Sequence, residues 1–259
     1  MRINAGDWLV PRARRVGVTL VLLLLALARP AAAQGIGLEQ LREMMDWGTG
    51  SLLLFDELEY APGASGQPVG LEATAWYGGA YNRLWVRAEG EQLTAEGGGE
   101  AEVEALYGRL ITPYFDAVGG VRVDGRWGED DAARALLVLG VQGLAPYWFE
   151  IAPTLYVSQD GDLSGRFAAS YELLFTQRLI AEPELEVNAA LQEVPEFGVG
   201  AGFNDVELGL RLRYEIRREV APYFGYSWTR RVGGSADFAR AEGEPVSDGA
   251  FVAGLRMWF

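Results

Sequence analysis

Residues 178–192 read RLIAEPELEVNAALQ, and residues 205–216 read DVELGLRLRYEI. In the first stretch Leu179, Ala181, Pro183, Leu185, Val187, Ala189 and Leu191 occupy the odd positions. Glu182, Glu184, Glu186, Asn188 and Gln192 stand between them. In the second, Val206, Leu208, Leu210, Leu212, Tyr214 and Ile216 alternate with Glu207, Gly209, Arg211, Arg213 and Glu215. A helix would spread both sets around its circumference. A strand sends successive side chains to opposite faces, so each stretch becomes a ribbon with one apolar and one charged side.

The same period of two runs outward from these stretches. It predicts twelve strands, near 52–60, 71–78, 83–91, 100–109, 114–124, 133–143, 147–157, 163–175, 178–192, 205–216, 222–230 and 249–259. Their lengths suit the roughly 9–11 residues that a tilted membrane strand needs, and bacterial outer-membrane barrels have even strand numbers. Connections after odd-numbered strands are longer and Gly-rich, such as PGASGQPVG (62–70) and RVGGSADFARAEGEPVS (231–247). Those after even-numbered strands are brief, such as GAYN (79–82) and LAP (144–146). Long external loops and tight periplasmic turns follow this parity in outer-membrane barrels, whereas a soluble sandwich has no reason to. The expected fold is all-β: an antiparallel outer-membrane β-barrel of twelve strands over residues 51–259.

Three Pro-Tyr pairs, Pro113-Tyr114, Pro146-Tyr147 and Pro222-Tyr223, fall at tight turns where odd-numbered strands begin. Proline is tolerated where a strand begins, and tyrosine favours the lipid–water boundary, so all three are expected in a periplasmic girdle. The final strand alternates Phe251, Ala253, Leu255, Met257 and Phe259. A last strand ending in Phe resembles the signal read by the barrel-assembly machinery, which makes that machinery an expected partner through Phe259.

The N-terminus has the form of a secretory signal: Arg2, Arg12, Arg14 and Arg15, an apolar core at 16–27, and PAAA at 30–33. Twelve apolar residues fall short of the roughly 20 a helical span requires. Cleavage after Ala33 removes one acid and five Arg, leaving 35 acids against 17 Arg, a charge of −18. Nucleic acid is excluded as a partner at that charge. Residues 34–50 are Gly-flanked and weakly helical, a short flexible periplasmic lead-in. There is no Cys and no His, which excludes thiolate metal sites and the His-dependent hydrolases among outer-membrane barrels.

If the apolar register faces lipid, the alternate positions face the lumen. They include sixteen acids, Glu57, Glu59, Glu89, Glu102, Glu182, Glu184 and Glu186 among them, but only eight Arg. Rings of carboxylates favour cations. A sealed interior cross-linked by Arg–carboxylate pairs, with no transport role, remains open as the alternative.

The segments FDELEY (55–60), AWYGGAYNRLWVRAEGE (75–91), LGVQGLAPYWFE (139–150), YELLFTQRLI (171–180), ELGLRLRYEIRREVAPYFGYSW (207–228) and ADFARAEGE (236–244) carry a resemblance to the copper resistance protein B family. The resemblance implies an outer-membrane barrel, copper binding or passage, and work beside a periplasmic multicopper oxidase. Family members often carry a Met- and His-rich segment before the barrel; here that region keeps only Met44, Met45 and Asp46. Thioethers select Cu(I) and imidazole suits Cu(II), while carboxylates discriminate poorly. The candidate copper ligands are therefore Met44, Met45 and Asp46 before the barrel, and Glu57, Glu59, Glu89, Glu102, Glu182, Glu184 and Glu186 within it. Met44 and Met45 are adjacent in sequence, which suits an amphipathic turn as well as a ligand pair.

Overall fold

The computed structural model describes residues 48–95, 97–128 and 131–259. The signal segment, most of the lead-in, and Met44, Met45 and Asp46 lie outside the described residues. The strands are β1 (Gly50–Tyr60), β2 (Pro68–Gly78), β3 (Asn82–Leu93), β4 (Gly99–Thr112), β5 (Phe115–Trp127), β6 (Ala132–Leu144) and β7 (Glu150–Ser158). They continue with β8 (Leu163–Ser170), β9 (Leu173–Leu174), β10 (Leu179–Ala190), β11 (Gly202–Tyr214), β12 (Val220–Arg231) and β13 (Ser247–Trp258). Each long strand pairs antiparallel with its neighbours, and β1 closes on β13. The result is a twelve-stranded barrel plus the two-residue β9.

β9 is the tail of β8. Both pair with β10 in the same register, Ser170 opposite Glu184 and Leu173 opposite Ala181. Between them the Tyr171 N–H donates to the Pro183 carbonyl at 3.1 Å. Pro183 has no N–H to return, so the ladder lapses there. The predicted strand 163–175 thus exists but is interrupted.

The register delivers the predicted segregation. Leu84, Tyr107, Leu137, Leu139, Leu155, Leu210, Phe224 and Phe251 are all more than half exposed and point outward. Arg122, Asp124, Arg211 and Arg213, by contrast, are less than a tenth exposed and point inward. A water-soluble protein arranges these classes the other way round; an apolar exterior belt fits lipid as the outer solvent. Inside, Leu106, Val118, Leu136, Val138 and Tyr156 pack together with Trp85 along β3–β7. Burial of each large side chain there contributes about 1.5–3 kcal/mol.

The start of β1, Gly50, and the end of β13, Trp258, lie at the end of the barrel that carries the tight turns. Sorting of connections by parity is looser than the sequence suggests: Gln159–Asp162 at the loop end is as short as Phe175–Arg178 at the turn end. The segment read as the longest loop contains a helix, α1 (Gly233–Glu242). Gly233 and Gly234 mask it in the sequence, but Ala236, Ala239, Arg240, Ala241 and Glu242 are strong helix formers. Gly243, at φ 78°, ends it in the left-handed conformation.

One girdle expectation fails. Tyr114 and Tyr147 are exposed at turns, but Pro222 lies inside β12 and Tyr223 is 6% exposed. In that strand the odd positions face inward, because Phe224 and Tyr226 take the lipid side. Tyr223 is a lumen residue whose hydroxyl donates to Glu59 at 3.0 Å.

Candidate functional site: an arginine-centred carboxylate lumen

The barrel encloses a cavity of about 850 Å³. Thirteen acidic residues and six Arg line it, an excess of seven negative charges when all are ionised. The alternation places them there, since every second residue of β1–β4, β8, β10 and β11 must point inward.

The seven glutamates proposed from sequence are brought together around three arginines. On β11, Arg211 holds three of them: Glu57 at 2.6 Å and Glu59 at 3.2 Å, both from β1, and Glu184 from β10. On β8, Arg166 holds Glu89 (3.2 Å) from β3, Glu102 (3.0 Å) from β4 and Glu186 (3.2 Å) from β10. Arg213 pairs with Glu182 and Glu172. Each of the first two clusters sets one positive charge among three negative ones, so each carries a net −2 when ionised. Arg166 reaches strands four and five positions away around the wall, and so ties opposite sides of the lumen together.

Further pairs brace the wall. Asp124 accepts from Arg134 at 2.7 Å, and Arg122 joins Asp124 and Glu102. Glu104 sits 3.5 Å from Arg87 and accepts from the Tyr156 hydroxyl at 3.2 Å. The Arg122 guanidinium also lies over the Tyr156 ring, 4.7 Å from its centroid. Guanidinium stays charged in any such setting and fits several carboxylates at once, which suits it to this role better than an ammonium.

Glu72 behaves differently. It lies directly opposite Glu57 on one side and Glu89 on the other, yet has no ion pair or hydrogen bond among the described residues. Like charges directly opposed across strands are destabilising. Among the described residues no three His, Cys, Asp or Glu side chains are grouped closely enough to hold a metal ion by themselves. The carboxylates converge on guanidinium groups instead.

Sequence reasoning missed Asp56. Strict alternation with Glu57 and Glu59 inward sends it to lipid. A β-bulge places two residues of β1 against one of β2: Phe55 pairs with Ala73 and Glu57 with Glu72, leaving Asp56 extra. Asp56 therefore turns into the lumen, where Arg256 of β13 donates to it at 2.6 Å. Three acids within four residues, Asp56, Glu57 and Glu59, are the only sequence hint, because two adjacent acids cannot both face inward on a regular strand.

A closed antiparallel barrel with an apolar belt outside and charged side chains within defines a protein of the outer-membrane β-barrel class. A NanC porin has the same kind of fold, with a TM-score of 0.50 at 10% identity, covering 80% of this chain and 99% of that one. The particular family follows from the sequence: the chain belongs to the copper resistance protein B family, whose model (Copper resistance protein B precursor, CopB) matches residues 49–259. Copper resistance protein B of Escherichia coli is 42% identical over 208 residues, 80% of this chain and 69% of the relative. A copper resistance protein B homolog of Pseudomonas syringae pv. tomato is 36% identical over 217 residues, 84% and 72% respectively.

Proposed function

We propose that this protein is a non-enzymatic outer-membrane barrel that binds copper ions, or lets them pass through its acidic lumen, as part of copper resistance. The observation that carries the reading is the excess of carboxylates over arginines around one cavity in a member of this family. A cation entering that cavity meets a negative field concentrated by low-dielectric walls. It competes with Arg166 and Arg211 for Glu57, Glu59, Glu89, Glu102, Glu184 and Glu186, and with Arg213 for Glu182. Glu72, Glu150 and Glu207 line the cavity without an ion pair to arginine among the described residues, and such an ion reaches them without displacing a guanidinium. Capture by oxygen ligands shared in this way is weak and exchangeable, as passage requires. Met44, Met45 and Asp46 would add a softer ligand set ahead of the barrel.

On this reading the chain is exported by its N-terminal signal and inserted into the Gram-negative outer membrane by the assembly machinery through the Phe259 strand. A periplasmic multicopper oxidase of the same system would work beside it. The test is copper flux into proteoliposomes holding a copper-sensitive dye. Replacing Glu72, Glu89 and Glu186 by Gln should slow the flux several-fold with the barrel still closed by heat-modifiable gel shift. Unchanged flux would overturn the reading. The density of arginine pairing favours a second reading, a structural barrel with no transport role. It predicts no copper flux in the parent protein, and envelope defects without copper sensitivity when the protein is deleted.

A further inference from the structure

The two longest loop-end connections fold over the mouth of the barrel as one piece. The Gly200 N–H donates to the Ser235 Oγ at 2.8 Å, and Asn204 Nδ2 donates to the Gly200 carbonyl at 2.6 Å and to the Ser235 Oγ at 2.9 Å. Asn204 and Ser235 are each 4% exposed. The Gly200 and Gly234 backbones touch, so that a Cβ on Gly200 would stand 2.4 Å from the Ser235 nitrogen. Residues 191–201 and α1 are thereby locked to each other and to the start of β11.

Their far edge reaches across the lumen. Glu242, the last residue of α1, meets Arg126 of β5 at 3.9 Å. α1 follows β12, and in the closed order of twelve strands β5 and β12 lie six positions apart in either direction. The pair therefore joins opposite walls. Strands about 4.8 Å apart and tilted by about 40° give a backbone diameter of about 24 Å, of which a ten-residue helix and two long side chains span most. A second contact lies beside it: the Arg134 guanidinium of β6 sits 4.2 Å from the centroid of the Phe197 ring in the β10–β11 connection. None of residues 191–201 or 233–242 lines the 850 Å³ cavity, whereas Leu110, Pro113, Tyr114 and Leu144 at the turn end do.

The two edges of this cover differ in kind. The near edge is a buried hydrogen-bonded knot. At the far edge the Arg126 and Glu242 side chains are 32% and 47% exposed, an ion pair of the ordinarily weak surface type. Gly233 (φ 56°) and Gly243 (φ 78°) bracket α1 with backbone that only glycine adopts freely. We propose that α1 with residues 191–201 is a hinged cap on the loop-end mouth. The cavity then meets solvent only at the turn end until the Arg126–Glu242 and Arg134–Phe197 contacts part. The inference does not depend on copper.

The native chain has no Cys, so a pair introduced at R126C/E242C in the full-length barrel is the only one present. Joined after folding by a short bis-maleimide, it should suppress potassium current through planar bilayers at least tenfold against the unlinked protein. The double variant R126A/F197A should raise the open fraction about tenfold. Linked protein that conducts like unlinked protein overturns the proposal. A separate measurement uses A168C, a small cavity-lining position, and a membrane-impermeant maleimide in copper-free proteoliposomes. Labelling should be at least tenfold faster from the turn side, and R126A/F197A should abolish the difference. Equal rates from both sides with the latch intact also overturn it.

Discussion

Replacement of Arg211 by Gln tests whether arginines organise the lumen. Arg211 has a side chain 8% exposed and lies between Glu57 at 2.6 Å, Glu59 at 3.2 Å and Glu184. The substitution keeps one donor group and much of the volume but removes the charge, leaving three carboxylates facing one another. Breaking a buried pair by deleting one partner costs about 3–5 kcal/mol, most of it the penalty of the uncompensated charge that remains. About 4 kcal/mol corresponds to three decades in the folded-to-unfolded ratio. The assay is urea unfolding in detergent micelles, followed by tryptophan fluorescence and the heat-modifiable gel shift. Arg240→Ala is the control, since its partner Asp237 is 79% exposed and the pair should contribute within about 0.5 kcal/mol. In the Arg211→Gln background, adding Glu184→Gln should recover part of the loss, giving a coupling energy of opposite sign to the single losses. A loss below about 1 kcal/mol for Arg211→Gln, or no recovery with Glu184→Gln, would refute the reasoning.

Other perturbations address the outside, the turns and the misplaced tyrosine. Leu139→Arg puts a charge on the 65% exposed outer face midway along β6 and should cost about 2–4 kcal/mol in lipid vesicles by equilibrium unfolding. Tyr147 and Trp148, at φ 66° and 70°, hold left-handed backbone that disfavours side chains. Replacing them with Asn-Gly should stabilise the barrel by about 1–2 kcal/mol per relieved residue, read as a shifted urea midpoint at constant slope. Tyr223→Phe removes a buried hydrogen bond to Glu59 and should cost about 1.5–3 kcal/mol, whereas Tyr114→Phe should be neutral in the same unfolding assay.

The barrel was legible because alternation is a local property: Leu208, Leu210 and Leu212 declare their face without reference to any distant residue. The lumen glutamates were legible by the same parity. Parity also turned Arg166, Arg211 and Arg213 inward, but it did not tell which carboxylates each one holds: Arg166 meets Glu89 and Glu102 from β3 and β4, and the reach of a side chain across a barrel leaves no trace in spacing. Asp56 was hidden by one extra residue that reverses parity without altering composition. Tyr223 was misplaced because a repeated Pro-Tyr motif was read as a repeated location. The Pro-Tyr pairs at 113 and 146 precede their strands, while the one at 222 already belongs to its strand. α1 was obscured by a Gly pair whose purpose, a backbone contact between Gly234 and Gly200, lies in another loop.

The bulge at Asp56 also marks the seam where the cylinder shuts. β1 and β13 pair at Leu54–Phe55 and again at Glu59–Tyr60, with the register shifting between, whereas β12 and β13 run together without a lapse. Partners at this seam stand some 200 positions apart along the chain, and bringing such distant ends together costs about 5 kcal/mol of loop entropy. A ring built by adding each hairpin to the last therefore meets its least local and least continuous edge as its final act. Mechanical or thermal stress should unzip it there first, exposing β1 and β13 to any neighbouring strand able to pair with them.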